Sequence, residues 1–89
     1  MKFNWHEPKR QKTLQERGLD FAHAELVFQG ATFTFEDDRY DYSEQRWVTM
    51  GLLRGQVVVI VHTEAETEIR IISMREANGN EQQLFFANI

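Results

Sequence analysis

The stretch Arg46-Trp47-Val48-Thr49-Met50-Gly51-Leu52-Leu53-Arg54-Gly55-Gln56-Val57-Val58-Val59-Ile60-Val61-His62-Thr63 decides the fold class. Arg46 to Met50 reads as one strand, Gly55 marks the turn, and Val57 to Thr63 reads as the next. Val57 to Val61 is apolar at every position, so both faces of that strand need cover and it belongs inside a sheet. Working outward, Ala65 to Thr67 makes another turn and Glu68 to Met74 gives a further strand. On the other side Thr32-Phe33-Thr34-Phe35 alternates with period two, as a half-buried strand does. Connections this short join neighbours that run in opposite directions, so the spacing predicts an antiparallel meander of about four strands.

Helices are expected at both ends of this meander. Phe3-Asn4-Trp5 reads as a short strand that anchors two aromatics. Pro8 and Gly18 then bracket a helix over about 8 to 17, because proline loses nothing at a helix start and glycine accepts the left-handed turn at its end. The only strongly apolar residue of this helix is Leu14, so it cannot be deeply buried and shows Lys9, Arg10, Lys12 and Arg17 outward. Asp20 can cap a second helix, in which Phe21, Ala24, Val27 and Phe28 recur at helical spacing and belong to the core. Asn78 with Glu81 resembles a capping box, opening a short C-terminal helix from which Leu84, Phe85 and Ile89 can dock. The expected architecture is α+β: two N-terminal helices packed on an antiparallel sheet of about four strands, with a short C-terminal helix.

Composition narrows the classes. Eighty-nine residues make a single domain, 1–89. With no cysteine there is neither a disulfide framework nor a thiolate metal site, which suits the cytoplasm. The longest aliphatic run, Val57 to Val61, is too short to cross a bilayer, so no membrane partner is expected. The formal net charge of -4 argues against a nucleic-acid partner, but its distribution does not. Residues 1–18 carry Lys2, Lys9, Arg10, Lys12 and Arg17 against Glu7 and Glu16, whereas Glu36, Asp37, Asp38, Asp41 and Glu44 crowd 36–44 against Arg39 alone. One basic and one acidic face are expected. The three histidines, His6, His23 and His62, have no spacing that suits shared metal ligation.

In this order the residues resemble a known family. Phe3-x-Trp5, Leu14 and Gly18, Phe21-x-x-Ala24-x-x-Val27-Phe28, Asp38-Arg39, Glu44-x-Arg46, Gly51, Arg70-Ile71-Ile72-Ser73-x-Arg75-x-Ala77 and Glu81 together resemble the BrnT-type toxins, of the RelE-like class. The chain departs from the family pattern at Trp5-His6, where Trp-Asp is usual, and at Thr13 to Gly18, where Asn-x-x-Lys-His-Gly is usual. The resemblance implies a metal-independent endoribonuclease toxin of a type II system that cleaves messenger RNA and uses no cofactor. It implies a ribbon-helix-helix antitoxin as partner, with a heterotetramer as the expected assembly. The alternative is a module of the same fold that binds the antitoxin without catalysis.

Metal-free RNA cleavage needs a base for the 2′-OH, cations for the charge developing on phosphorus oxygens, and a proton donor for the leaving oxygen. Arginine suits the second role because its planar fork engages phosphate through two parallel bonds. Arg46, Arg70 and Arg75 lie on or at the ends of strands and are the candidate catalytic cations. Strict alternation puts Arg70 and Arg75 on opposite faces unless the strand ends or bulges between them, so Arg75 is expected at the strand end or the start of the last helix. His62, placed to meet Arg70 from the neighbouring strand, and Glu44 are the candidate bases. Lys9, Lys12 and Arg17 are expected to hold RNA backbone. The charge pattern further predicts that RNA approaches the first helix and the arginines, with the acidic turn away from it.

Overall fold

The computed structural model describes all 89 residues. Four strands form the expected meander: β2 (Thr32–Asp37), β3 (Arg46–Leu53), β4 (Gln56–Glu64) and β5 (Glu68–Glu76). Arg54 and Gly55 adopt positive φ of 52° and 81°, which closes the tight turn between β3 and β4. The sheet is nevertheless five-stranded and mixed. The N-terminal strand β1 (Lys2–Trp5) pairs in parallel with β5, giving the order β1-β5-β4-β3-β2. A four-stranded antiparallel sheet is therefore corrected, because β5 has a free edge and a short strand with two half-buried aromatics fills part of it.

Helix α1 (Glu7–Arg17) ends at Gly18, whose φ of 70° and whose N–H bond to the Leu14 carbonyl form the expected left-handed cap. Its buried residue is Thr13, while Leu14 is 40% exposed. The second helix differs from expectation. Asp20 does cap, accepting from the Ala22 N–H at 2.9 Å, but the capped turn is a single 3-10 turn over Phe21–His23. Only Ala24–Gln29 is α-helical, forming α2. The last helix, α3 (Gly79–Ala87), opens on the complete Asn78–Glu81 capping box.

The sheet has a core on each face. Phe21, Ala24 and Val27 pack with Val58, Ile60, Ile69, Ile71 and Met74 on one, with Phe3, Trp5 and Phe28 at its margin. Phe85 of α3 packs with Val48, Met50, Val57, Val59 and Ala77 on the other. Leu84 and Ile89, expected to dock, are 42% and 56% exposed, since a helix this short turns one side inward and Phe85 occupies it. The apolar-on-both-faces reading of β4 matches this arrangement.

Gly51 is what allows α2 to approach β3. A Cβ there would lie 2.5 Å from Cγ1 of Val27 and 3.3 Å from Cγ2 of Thr32. Gly51→Ala should therefore lower the unfolding free energy by about 1–3 kcal/mol through overpacking. Urea denaturation checks this, and an unchanged midpoint would mean that the helix can withdraw freely.

Candidate active site

Facing α3, the sheet carries the arginines, and an irregularity in β5 puts them there. The β4–β5 register pairs Thr63 with Arg70 and His62 with Ile71, then shifts so that Val61 pairs with Ser73 and Val59 with Arg75. One extra residue of β5 is absorbed, as in a β-bulge, and the alternation resets. Ile69, Ile71 and Met74 consequently all enter the core beneath α2, while Arg70 and Arg75 both project from the opposite face. Arg75 lies at the strand end, as expected, one residue before β5 stops at Glu76, but it still pairs with Val59 and owes its shared face with Arg70 to the bulge, not to a lapse of parity. Arg46 belongs to the same face, because it alternates with Val48 and Met50 along β3.

The environments of the three arginines differ. Arg75 makes a fork onto Glu81, both Nη atoms lying 2.7 Å from its carboxylate oxygens, and this tie also fixes the start of α3. It holds the Glu81 carboxyl below its ordinary range. Arg70 is exposed and reaches only Oδ1 of Asn4, at 3.4 Å. Arg46 has no hydrogen-bond partner for its buried Nε, and its guanidinium lies over the Tyr42 ring, 4.2 Å from the centroid.

Helix α1 supplies the rest of the site. β1 pairs with β5 only as far as Ile71, so the Met74 carbonyl beyond it lacks a strand neighbour on that edge. Arg17 takes its place, donating from Nη1 at 2.9 Å, and so pins the last turn of α1 to the sheet. Between them runs a groove of about 490 Å³, lined by His6, Pro8, Lys9, Lys12, Thr13, Glu16, Arg17 and Ser73. Lys12 faces Glu16 at 3.9 Å. Desolvation pushes the Lys9 ammonium below its ordinary value, and the like charges of Arg46 and Arg17 push it further. Ser73 also borders a second depression of about 370 Å³, floored by Phe35, Val48, Val59 and Val61 and edged by Arg39, Arg75 and Glu81. The α1 groove and the arginine face are thus continuous.

Two expectations about proton carriers and charge are revised. His62 is fully buried on the face beneath α2, where Nε2 lies 2.7 Å from Oγ1 of Thr49 and the ring meets Phe28 edge-on at 5.1 Å. Its backbone pairs with Ile71, so its side chain lies across the sheet from Arg70 and cannot meet it. Burial pushes its pKa down to about 4. Glu44 is exposed and shares a depression with Asn4, Thr63 and Arg70. The acidic segment does not stand away from the arginines. Asp37 is buried, accepting from Arg39 Nε at 2.8 Å and Nη2 at 3.0 Å and from the Tyr42 hydroxyl at 3.1 Å. These bonds hold its carboxyl down to about 2 and fold the segment beside Arg46.

His6 and Ser73 are groove residues to which sequence reasoning gave no role in the site. The usable signal for His6 was its spacing: Lys9 and Thr13 lie three and seven residues on, along one helix face. Ser73 depended on the bulge, which leaves no such signal. No three His, Asp or Glu side chains converge as metal ligands would, and no helix is long and apolar enough to cross a membrane. A family model described as the ribonuclease toxin BrnT of type II toxin–antitoxin systems matches residues 5–81. No curated protein matches the chain.

Proposed function

We propose, from the premise that the chain belongs to the BrnT family of ribonuclease toxins of type II toxin–antitoxin systems, that it cleaves messenger RNA in the cytoplasm as a metal-independent endoribonuclease. The observation that carries this reading is the set of cations left without a carboxylate. Arg10, Lys12, Arg39 and Arg75 are all paired with acidic side chains. Lys2, Lys9, Arg17, Arg46, Arg54 and Arg70 are not, and of these Lys9, Arg17 and Arg46 lie together, close enough that Arg46 and Arg17 depress the Lys9 ammonium, whereas Arg70 borders a separate depression with Glu44, Glu64 and Glu68. Like charges held together without a counterion favour an anion between them, and a phosphodiester is the anion of this family's substrate.

In this reading Lys9, Lys12 and Arg17 hold the backbone, and Arg46 neutralises the charge that develops on the phosphate oxygens. Arg75 contributes chiefly by fixing α3. The antitoxin, of the ribbon-helix-helix kind that the resemblance implies, silences the enzyme by covering this face. The apolar floor of Phe35, Val48, Val59 and Val61 beside the arginines offers it a surface of mixed character. Two such pairs form a heterotetramer.

Production of the chain alone in a bacterial host tests the reading. Growth should stop and messages should decay, and co-production of the protein from the adjoining reading frame should restore both. Continued growth with intact messages would overturn the nuclease and leave a module that only binds its antitoxin.

A further inference from the structure

We propose that His6 is the general base of this site, with its imidazole accepting the 2′-OH proton of an RNA strand lying in the α1 groove; this rests on the nuclease reading above. His6 is the N-cap residue of α1, and its side chain makes no capping bond, so neither ring nitrogen is engaged by the helix. It is exposed and lines the same groove as Lys9, Arg17 and Ser73. The charged groups facing it there are Lys9, Lys12, Glu16 and Arg17 of α1, while β5 contributes the uncharged Ser73.

Elimination points the same way. His62 is buried on the other face of the sheet, with Nε2 engaged by Thr49. His23 ends the 3-10 turn and lines no part of the groove. Glu44 borders a different depression, with Arg70. Glu16 lies in the groove but faces Lys12. His6 is thus the uncommitted base beside the unpaired cations, and imidazole is the side chain that exchanges protons most readily near neutral pH.

The step balances without an outside reactant. A neutral ring nitrogen of His6 takes the 2′-OH proton, O2′ forms a bond to phosphorus, and the bond from phosphorus to O5′ breaks. The products are a 2′,3′-cyclic phosphate and a 5′-hydroxyl whose proton comes from the Lys9 ammonium. Nothing is oxidised or reduced, and water returns the His6 proton to Lys9.

The test uses the full chain, a mixed-sequence single-stranded RNA, and His6→Asn. Asparagine is a better N-cap than histidine, so the variant should fold with a thermal midpoint at or above that of the parent. The parent should leave 2′,3′-cyclic ends, and its rate should rise with pH, as a reaction that needs an unprotonated base does. His6→Asn should bind the RNA as tightly, cleave ~100-fold or more slowly, and lose that rise. Parent-like cleavage with an unchanged pH profile would overturn the assignment, as would loss of binding in step with cleavage, which would make His6 a contact for the backbone only. Intact RNA with the parent chain would overturn the nuclease reading itself, and His6 with it.

Discussion

Arg46→Ala should slow RNA cleavage by ~100-fold or more while leaving the thermal midpoint close to that of the parent. The first half follows from chemistry. A positioned donor that meets charge as it develops is worth that much when removed, and Arg46 is the sheet arginine whose charge is felt by Lys9. The second half follows from its surroundings. Arg46 makes no hydrogen bond that its removal would break, its Nε is buried without a partner, and only the stacking on Tyr42 is lost. Relief of an unsatisfied buried donor offsets that loss. Arg46→Lys should rescue poorly, since an ammonium restores charge without the planar fork. Arg70→Ala should likewise leave the thermal midpoint close to that of the parent, because the side chain of Arg70 hydrogen-bonds only to Asn4, at 3.4 Å. Arg75→Ala should differ in kind. Loss of the fork onto Glu81 loosens the capping box and should cost about 1 kcal/mol of stability. Cleavage of one RNA and thermal melting, measured at matched salt for all four variants, separate these outcomes. Full activity in Arg46→Ala would remove that residue from the mechanism.

The second large effect concerns stability against pH. His62 titrates at about 4 in the folded chain against 6.5 for an ordinary imidazole, because burial disfavours its charged form. Between those values the unfolded chain binds a proton that the folded chain refuses. Stability is therefore full above pH ~6.5, falls as pH drops toward 4, and levels off below it on this account, with a total loss of roughly 3 kcal/mol. Asp37, Asp20 and Glu81 act with the same sign but lower down, since their folded carboxyls are depressed and their contributions vanish only as acid protonates them. The two windows can thus be distinguished. His62→Gln keeps an amide within reach of Thr49 but cannot titrate. Urea unfolding free energies from pH 8 to 4 should slope for the parent and stay nearly flat above pH ~5 for His62→Gln. Equal slopes would show that His62 is not the group responsible.

The chain's local patterns determined most of its elements. The Val57 to Val61 run, the turn at Gly55, the Gly18 cap and the Asn78–Glu81 box all appear as read, because each depends on backbone sterics or hydrogen bonds within a few residues. The Phe21, Ala24 and Val27 stripe likewise marked its core face, although a 3-10 turn replaced the first turn of helix. The residue types suited to phosphate chemistry were also legible, as were the cations of the first helix. Tertiary structure alone decided where they meet. The parallel docking of β1 joins residues 2–5 to 68–71, a separation no local pattern encodes. The β5 bulge moves Arg75 to the face of Arg70 and leaves His62 behind the sheet, since one extra residue in a strand reverses every side chain after it. The acidic segment curls beside Arg46 because Asp37 finds Arg39 and Tyr42 there, and His6 becomes a groove residue because Arg17 anchors α1 on an edge that β1 leaves open. Such outcomes rest on contacts between distant parts of the chain, and only the folded arrangement brings those parts together.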